Sequence, residues 1–353
     1  MDRPNILEVT RSELTRWVAE RNEPGFRADQ VWQWLWKRRA ATFDEMTNVS
    51  KAFRKLMARS WSIRPPQIAK ALASADGTVK LALALADGAL VETVLIPDRG
   101  RVTQCISTQV GCPMACTFCS TGTMGLTRNM TAGEIAGQLL AGLAHLQASG
   151  RETEIRNVVV MGMGEPLLNW KATEPALETL HDPMGLGLSR RRITLSTCGV
   201  EDRIGQVARS RLAMLAISLH APNQDLRERI MPVAAKALPL DRLMAELKAY
   251  PLEPRERITI EYLLLGGIND RLEHARGLVR LLNGLRCKIN LIAYNPGPGL
   301  PYEPPTLQAV NAFADLLWGK GLTATVRKSK GLDIAAACGQ LLIRPSNPHR
   351  KDA

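Results

Sequence analysis

Long apolar runs are missing from this sequence. No stretch of its 353 residues approaches the roughly 18 apolar residues of a membrane span, and the richest candidates are broken by Asp87, Gly88 and Glu92. No membrane partner is therefore expected. The opening Met1-Asp2-Arg3-Pro4-Asn5 lacks the apolar region of a secretory signal, so a soluble, cytoplasmic protein is expected. Seven cysteines are too few for a disulfide scaffold of this length. Repeats and low-complexity tracts are absent, and 45% apolar with 23% charged residues excludes disordered and collagen-like classes. Acidic residues are the minority: 34 against 46 Lys and Arg leaves a net charge of +12. That balance favours a polyanionic partner such as nucleic acid, although a solvated basic surface has the same composition.

Two regions differ in pattern. Residues 1–90 predict a small helical domain with a hairpin. Helices are expected over Asp29–Arg39, which carries Trp32, Trp34 and Trp36, and over Lys51–Ser60, with a turn at Asn22-Glu23-Pro24-Gly25 before the first. Two apolar runs, 80–85 and 90–96, flank Asp87-Gly88, a strong hairpin signal. Over 91–345, short apolar strands (102–108, 156–161, 192–197, 213–219, 257–264, 288–294) alternate with helical stretches (131–148, 170–180, 202–210, 240–249, 271–284, 306–319). Thr131 and Glu134 supply a capping box for the first of these helices. Six strand–helix units imply an α/β fold with a parallel sheet, and six is two short of a closed barrel, so a partial (β/α)6 barrel is predicted. A last strand near 322–327 and a short polar tail, 346–353, end the chain.

The sharpest chemical signal is Gly111-Cys112-Pro113-Met114-Ala115-Cys116-Thr117-Phe118-Cys119, directly after the first strand of the main body. Three thiolates at this spacing suit a [4Fe-4S] cluster, one per chain, with one iron left open for an outside ligand. Structural zinc is the alternative, but it normally takes four protein ligands. Met161-Gly162-Met163-Gly164-Glu165-Pro166 follows the second strand, where Gly164 lets backbone approach a ligand and Glu165 can accept from an ammonium. Ser196, then Ser218, Leu219 and His220, then Asn295 stand at the ends of later strands, where a barrel keeps its chemistry.

This arrangement resembles the radical S-adenosylmethionine (SAM) enzymes, in which the open iron chelates SAM and the reduced cluster cleaves it to a 5′-deoxyadenosyl radical. The resemblance extends over nearly all the chain to the radical SAM adenine-C2 RNA methyltransferases. It is carried by the triplet, the Gly162–Pro166 motif, Ser218-Leu219-His220-Ala221-Pro222-Asn223, Lys288–Pro296, Ala337-Cys338-Gly339-Gln340-Leu341, Phe26–Trp32 and Val91–Val94. It implies that Cys338 carries a methyl group taken from one SAM and that a second SAM supplies the radical. Glu92 accepts the C2 proton, and Cys105 resolves the protein–RNA adduct through a transient 105–338 disulfide. It also implies 23S ribosomal RNA and tRNA as substrates and an electron donor such as flavodoxin, with the enzyme a monomer. The sister enzymes that methylate adenine at C8 share the cluster, carrier and resolver, so the site residues leave that alternative open. A non-catalytic RNA-binding protein with a structural metal is the alternative of another class.

Cys198 and Cys287 have no role in that pattern; Cys198 is expected to be a passive thiol beside the SAM site. The tryptophans are expected to pack the helical domain rather than stack on bases. Arg327-Lys328-Ser329-Lys330 is expected to contact RNA phosphate near Cys338, and Arg190-Arg191-Arg192 opens the third strand. Lys37-Arg38-Arg39 complements a helix C-terminus.

Overall fold

The computed structural model describes residues 3–150 and 154–343; the tail expected over 346–353 lies outside them. Three helices open the chain: α1 (Arg11–Ala19), α2 (Phe26–Trp36) and α3 (Lys51–Ser60). Thr10 and Glu13 form a capping box on α1, and Ser50 caps α3. Trp32 and Trp36 are buried and tilted against each other at 5.8 Å, so they pack the domain as expected. Helix α2 starts earlier than the sequence predicts and stops at Trp36, which places Lys37, Arg38 and Arg39 in the cap and beyond, with Arg39 at φ +60°.

A ten-stranded sheet follows, open at both edges. Its first strands, β1 (Gln67–Ala73), β2 (Val79–Ala84), β3 (Leu90–Asp98) and β4 (Arg101–Ile106), are antiparallel neighbours, with the predicted Asp87-Gly88 turn between β2 and β3. A separate two-stranded ribbon, β5 (Gln109–Gly111) with β6 (Leu126–Asn129), interrupts the sequence before α4 (Ala132–Ala148). Then come β7 (Ile155–Val160), α5 (Trp170–His181), β8 (Ile193–Thr197), α6 (Ile204–Ser210) and β9 (Met214–Ser218). Two short helices, α7 (Gln224–Ile230) and α8 (Pro232–Ala237), precede α9 (Leu240–Ala249). The chain ends through β10 (Ile258–Leu264), α10 (Leu272–Leu281), β11 (Cys287–Ala293), α11 (Leu307–Gly319) and β12 (Ala324–Arg327).

From β4 through β7 to β12 every pairing is parallel. Strand–helix alternation forces this, because each helix returns the chain to the same end of the sheet. Strand β10 is buried along its whole length, as a strand covered on both faces must be. The C-terminal tips of the parallel strands meet around adjoining cavities, so the sheet curls into an incomplete barrel. One hydrophobic cluster runs from Ile6 in the helical region to Leu341. Glu8 adds a polar tie, accepting from the Gly133 N–H at the start of α4 at 2.8 Å.

Candidate active site

The cysteine triplet occupies the excursion between β5 and β6. Gly111, at φ +81°, starts it, and a Cβ there would collide with the Gly125 carbonyl oxygen, which accepts from the Cys112 N–H at 2.8 Å. Ala115 is also left-handed, at φ +48°. The far side of the loop is pinned by the Thr117 N–H donating to the Ile230 carbonyl (3.0 Å) and by Thr117 Oγ1 against the Tyr302 hydroxyl (2.7 Å). Cys112, Cys116 and Cys119 are half-buried and wall one cavity of about 160 Å³, here cavity A. Burial pushes all three thiols up, Cys112 to about 12. A metal that binds them as thiolates must therefore displace their protons.

Strand tips complete cavity A: Gly164 and Glu165 after β7, Ser196 of β8, Ser218 of β9, His220, and Glu261 of β10. Gly164, at φ +103°, lies so close to Gln109 that a Cβ would stand 2.7 Å from its side chain. Glu165 is buried, and burial raises its pKa. Its Oε1 accepts from the Leu167 N–H (3.0 Å), and its Oε2 accepts from the Cys198 N–H (2.9 Å) and faces Cys198 Sγ (3.1 Å). The expected passive thiol thus touches the carboxylate of the glycine-rich motif. His220, at φ +58°, accepts from the Leu263 N–H through Nδ1 (3.0 Å), and burial lowers its pKa to about 3. The ring is neutral with its proton on Nε2, and it meets Phe118 edge-on at 5.1 Å. Leu219 is fully buried and outside the cavity wall.

A second cavity of about 140 Å³, cavity B, adjoins the first. Cys105 of β4, Asn295 and the cations Arg327, Lys328 and Lys330 line it, with no carboxylate among its lining residues. Asn295, expected beside the strand-tip residues of cavity A, thus stands on the wall of cavity B. Cys338 belongs to both walls. Its thiol is exposed toward them; surrounding protein pushes its pKa up, and Arg327 opposes that rise. Burial pushes Cys105 up to about 12. Both thiols are free.

Glu92 is on neither wall. Alternation along β3 puts it on the same face as Val94 and Ile96, which do line cavity B, but the segment after Cys338 covers it. Its Oε1 pairs with Lys80 Nζ at 3.0 Å, and its Oε2 accepts from the Leu342 N–H at 2.8 Å. Burial raises its pKa against the pull of Lys80. Arg190 and Arg192 lie before β8, at the opposite end of the strands; Arg190 pairs with Glu256 at 2.6 Å.

Sequence reasoning missed Glu261, whose signal was a lone carboxylate in an otherwise apolar strand. It also missed Arg227, fully buried behind the triplet, which donates to the Cys198 carbonyl at 2.6 Å.

The residues present fit a cluster and a polar ligand. Among the described residues no three His, Cys, Asp or Glu side chains are gathered as a single metal ion requires, whereas the three thiols line one cavity with room for a larger group such as a multi-iron cluster. Two buried polar atoms without a partner among the described residues, Glu261 Oε2 and Asn295 Nδ2, stand on the cavity walls, where a polar ligand could meet them.

Known proteins agree with this geometry. Residues 4–63 match the ribosomal RNA large subunit methyltransferase N-terminal domain, and residues 106–279 match the radical SAM superfamily. The dual-specificity RNA methyltransferase RlmN of Nitratidesulfovibrio vulgaris (strain DP4) is 57% identical over 96% of this chain and 94% of its own length. That of Lawsonia intracellularis is 49% identical, covering 96% of each. The crystal structure of a radical SAM methyltransferase from Sphaerobacter thermophilus superposes with a TM-score of 0.89 at 40% identity, over 96% of this chain and 99% of the other. At such identity over nearly its whole length, the chain belongs to the radical SAM dual-specificity RNA methyltransferases of the RlmN family.

Proposed function

We propose that this protein methylates C2 of an adenine in 23S ribosomal RNA and of an adenine near the anticodon of tRNA. One observation carries the chemistry: Cys338 stands on the wall common to a cavity holding the cysteine triplet and Glu165 and a cavity holding Cys105 and three cations, while the choice of C2 over C8 follows the likeness to the RlmN relatives over nearly the whole chain. When bound, a three-cysteine [4Fe-4S] cluster and SAM supply a transferable methyl group and, in a separate event, a hydrogen-abstracting radical, so each turnover uses two SAM molecules.

Cys112, Cys116 and Cys119 hold the cluster. Glu165 and the backbone at Gly164 receive the SAM ammonium, and Ser196, Ser218, His220 and the backbone of Leu219 suit its ribose and adenine. Asn295, whose Nδ2 has no partner among the described residues, suits the methionine carboxylate from the adjoining wall of cavity B. Cys338 attacks the SAM methyl group as a thiolate, the S–CH3 bond forming as the sulfonium–methyl bond breaks and S-adenosylhomocysteine leaves with the electron pair. Once the carbon on Cys338 is bonded to C2, Glu92 takes the C2 proton and the adduct's one unpaired electron passes to the oxidised form of the electron donor, leaving a closed-shell protein–RNA adduct. Cys105 then attacks the Cys338 sulfur: the S–S bond forms as the S–C bond breaks, and the carbon leaves with the electron pair and gains a proton to become the product methyl. A reductant reopens the disulfide. Lys328 and Lys330 hold RNA phosphates, and the target base must leave its stack to enter cavity B. The enzyme acts as a cytoplasmic monomer that takes electrons from a donor of the flavodoxin kind; no described helix is long and apolar enough to cross a membrane.

The test is an anaerobic reaction of cluster-reconstituted protein with methyl-deuterated SAM, reductant and a 23S RNA fragment, read by nucleoside mass spectrometry. Labelled 2-methyladenosine is expected. Labelled 8-methyladenosine would move the protein to the sister reaction, and no methylated adenosine from protein with an intact cluster would overturn the reading.

A further inference from the structure

The segment carrying Cys338 is strained and held from outside. Gly331, Ala335 and Gly339 all have positive φ, and the alanine has no glycine's freedom to excuse it. Such a segment keeps its shape only if its surroundings impose it. On its outer side, Asp76 accepts from the Gly331 N–H (3.0 Å), and Asp333 accepts from Ser74 Oγ (2.6 Å) and the Ala75 N–H (3.1 Å). On its inner side, the Ser120 N–H donates to the Gly339 carbonyl and Thr121 Oγ1 donates to the Leu341 carbonyl, each at 2.7 Å.

Between these anchors lies one built from charge. Lys80 Nζ is 3.0 Å from Glu92 Oε1 and also donates to the carbonyl of the strained Ala335 at 3.0 Å. The other oxygen of Glu92 holds the Leu342 N–H. The ion pair thus grips the segment three residues before Cys338 and four residues after it. Both side chains are buried, at 9% and 8% exposed, so the pair is shielded from solvent. Around Glu92 the remaining polar neighbours are Ser107 and the Met163 sulfur, both on its backbone, so Lys80 is its charged contact among the described residues.

We propose that Lys80 is a positioning residue that makes the seat of the Cys338 segment depend on the charge of Glu92. Ionised Glu92 holds both Lys80 and Leu342, and the sulfur of Cys338 is fixed between the two cavities. Neutral Glu92 loses the charge in both contacts, and Lys80 is left with the Ala335 carbonyl. The inference rests on the reading of Glu92 as proton acceptor. In the step concerned the C2–H bond breaks, its electron pair stays on the base, and the proton forms an O–H bond on Glu92. The segment is then freed when the carrier sulfur has to turn from the base toward Cys105.

Amide hydrogen exchange of the full-length protein without RNA tests the latch. The variants are Lys80→Met, Lys80→Arg, Glu92→Gln and the double variant Lys80→Met/Glu92→Gln, which leaves no unpaired charge buried. Exchange across 331–342 should rise at least about tenfold in Glu92→Gln and in the double variant, the factor expected for losing one charge-assisted hydrogen bond. Lys80→Arg should restore the wild-type rate, and helix α9 should be unchanged in all. Unchanged exchange across 331–342 in the double variant overturns the proposal, as does failure of Lys80→Arg to protect where Lys80→Met does not. The role of Glu92 as base is read separately, from covalent protein–RNA adduct in Glu92→Gln under turnover. Looser exchange without adduct sinks the base and supports the latch, whereas adduct with unchanged exchange sinks the latch and spares the base.

Discussion

Cavities A and B share Cys338 and several neighbours, yet they differ in charge. Cavity A brings together Glu165, Glu261, two serines and a neutral histidine, with no lysine or arginine on its wall; cavity B brings together Arg327, Lys328 and Lys330 with no carboxylate. The first suits a ligand that carries positive charge, as the ammonium and sulfonium of SAM do. The second suits a phosphate backbone. On the proposed reading, charge would sort the two substrates to opposite sides of one sulfur.

Removing the shared member has the largest effect. Cys338→Ala should abolish methylated adenosine, while SAM binding in cavity A and RNA binding in cavity B both persist, as checked by ligand titration of each. Loss of either binding would mean that Cys338 is structural. Next in size is the anionic side. Glu165→Gln keeps the shape but removes a charge, so SAM affinity should fall about 10- to 100-fold, the range of one charge-assisted contact, with RNA affinity unchanged. Equal loss of both ligands would dissolve the distinction between the cavities.

A smaller change is expected on the cationic side. Lys328→Glu with Lys330→Glu should weaken RNA binding, and each lysine lost should flatten the dependence of log K on log salt by about one unit. SAM affinity should not move. An unchanged salt slope would remove these lysines from the RNA path.

Cavity A was largely legible in the sequence because its residues fall just after apolar strands, where chain order and strand tips coincide. Strand and helix boundaries in the main body agree with the alternation to within a few residues. The first strand, β1, was missed because its residues are nearly all exposed and show no apolar alternation. Helix α1 carries few apolar residues to signal it, and α7 and α8 are short and separated at Met231-Pro232. Glu92 illustrates a different limit. Its identity is plain in the sequence, but its cover comes from residues some 250 positions later, and only the folded chain brings Leu342 and Lys80 onto its two oxygens.

The smallest predicted effect is the finest probe of the contrast, because it measures both cavities at one atom. Surrounding protein holds the Cys338 thiol above the ordinary range; Arg327, on the wall of cavity B, pulls it down, and Glu261, on the wall of cavity A, pushes it up. Removing the cation leaves the thiolate less favoured, so Arg327→Met should move the midpoint of Cys338 alkylation to higher pH, by about one unit for a nearby buried charge, and slow alkylation about tenfold below that midpoint. Glu261→Gln should move it in the opposite direction and by less, because burial also raises the Glu261 pKa and reduces its charge. The rate of iodoacetamide labelling against pH, read on the Cys338 peptide of cluster-free protein, gives both shifts. Midpoints that move the same way in the two variants would show that packing, and not the opposed charge of the two walls, sets the reactivity of the carrier.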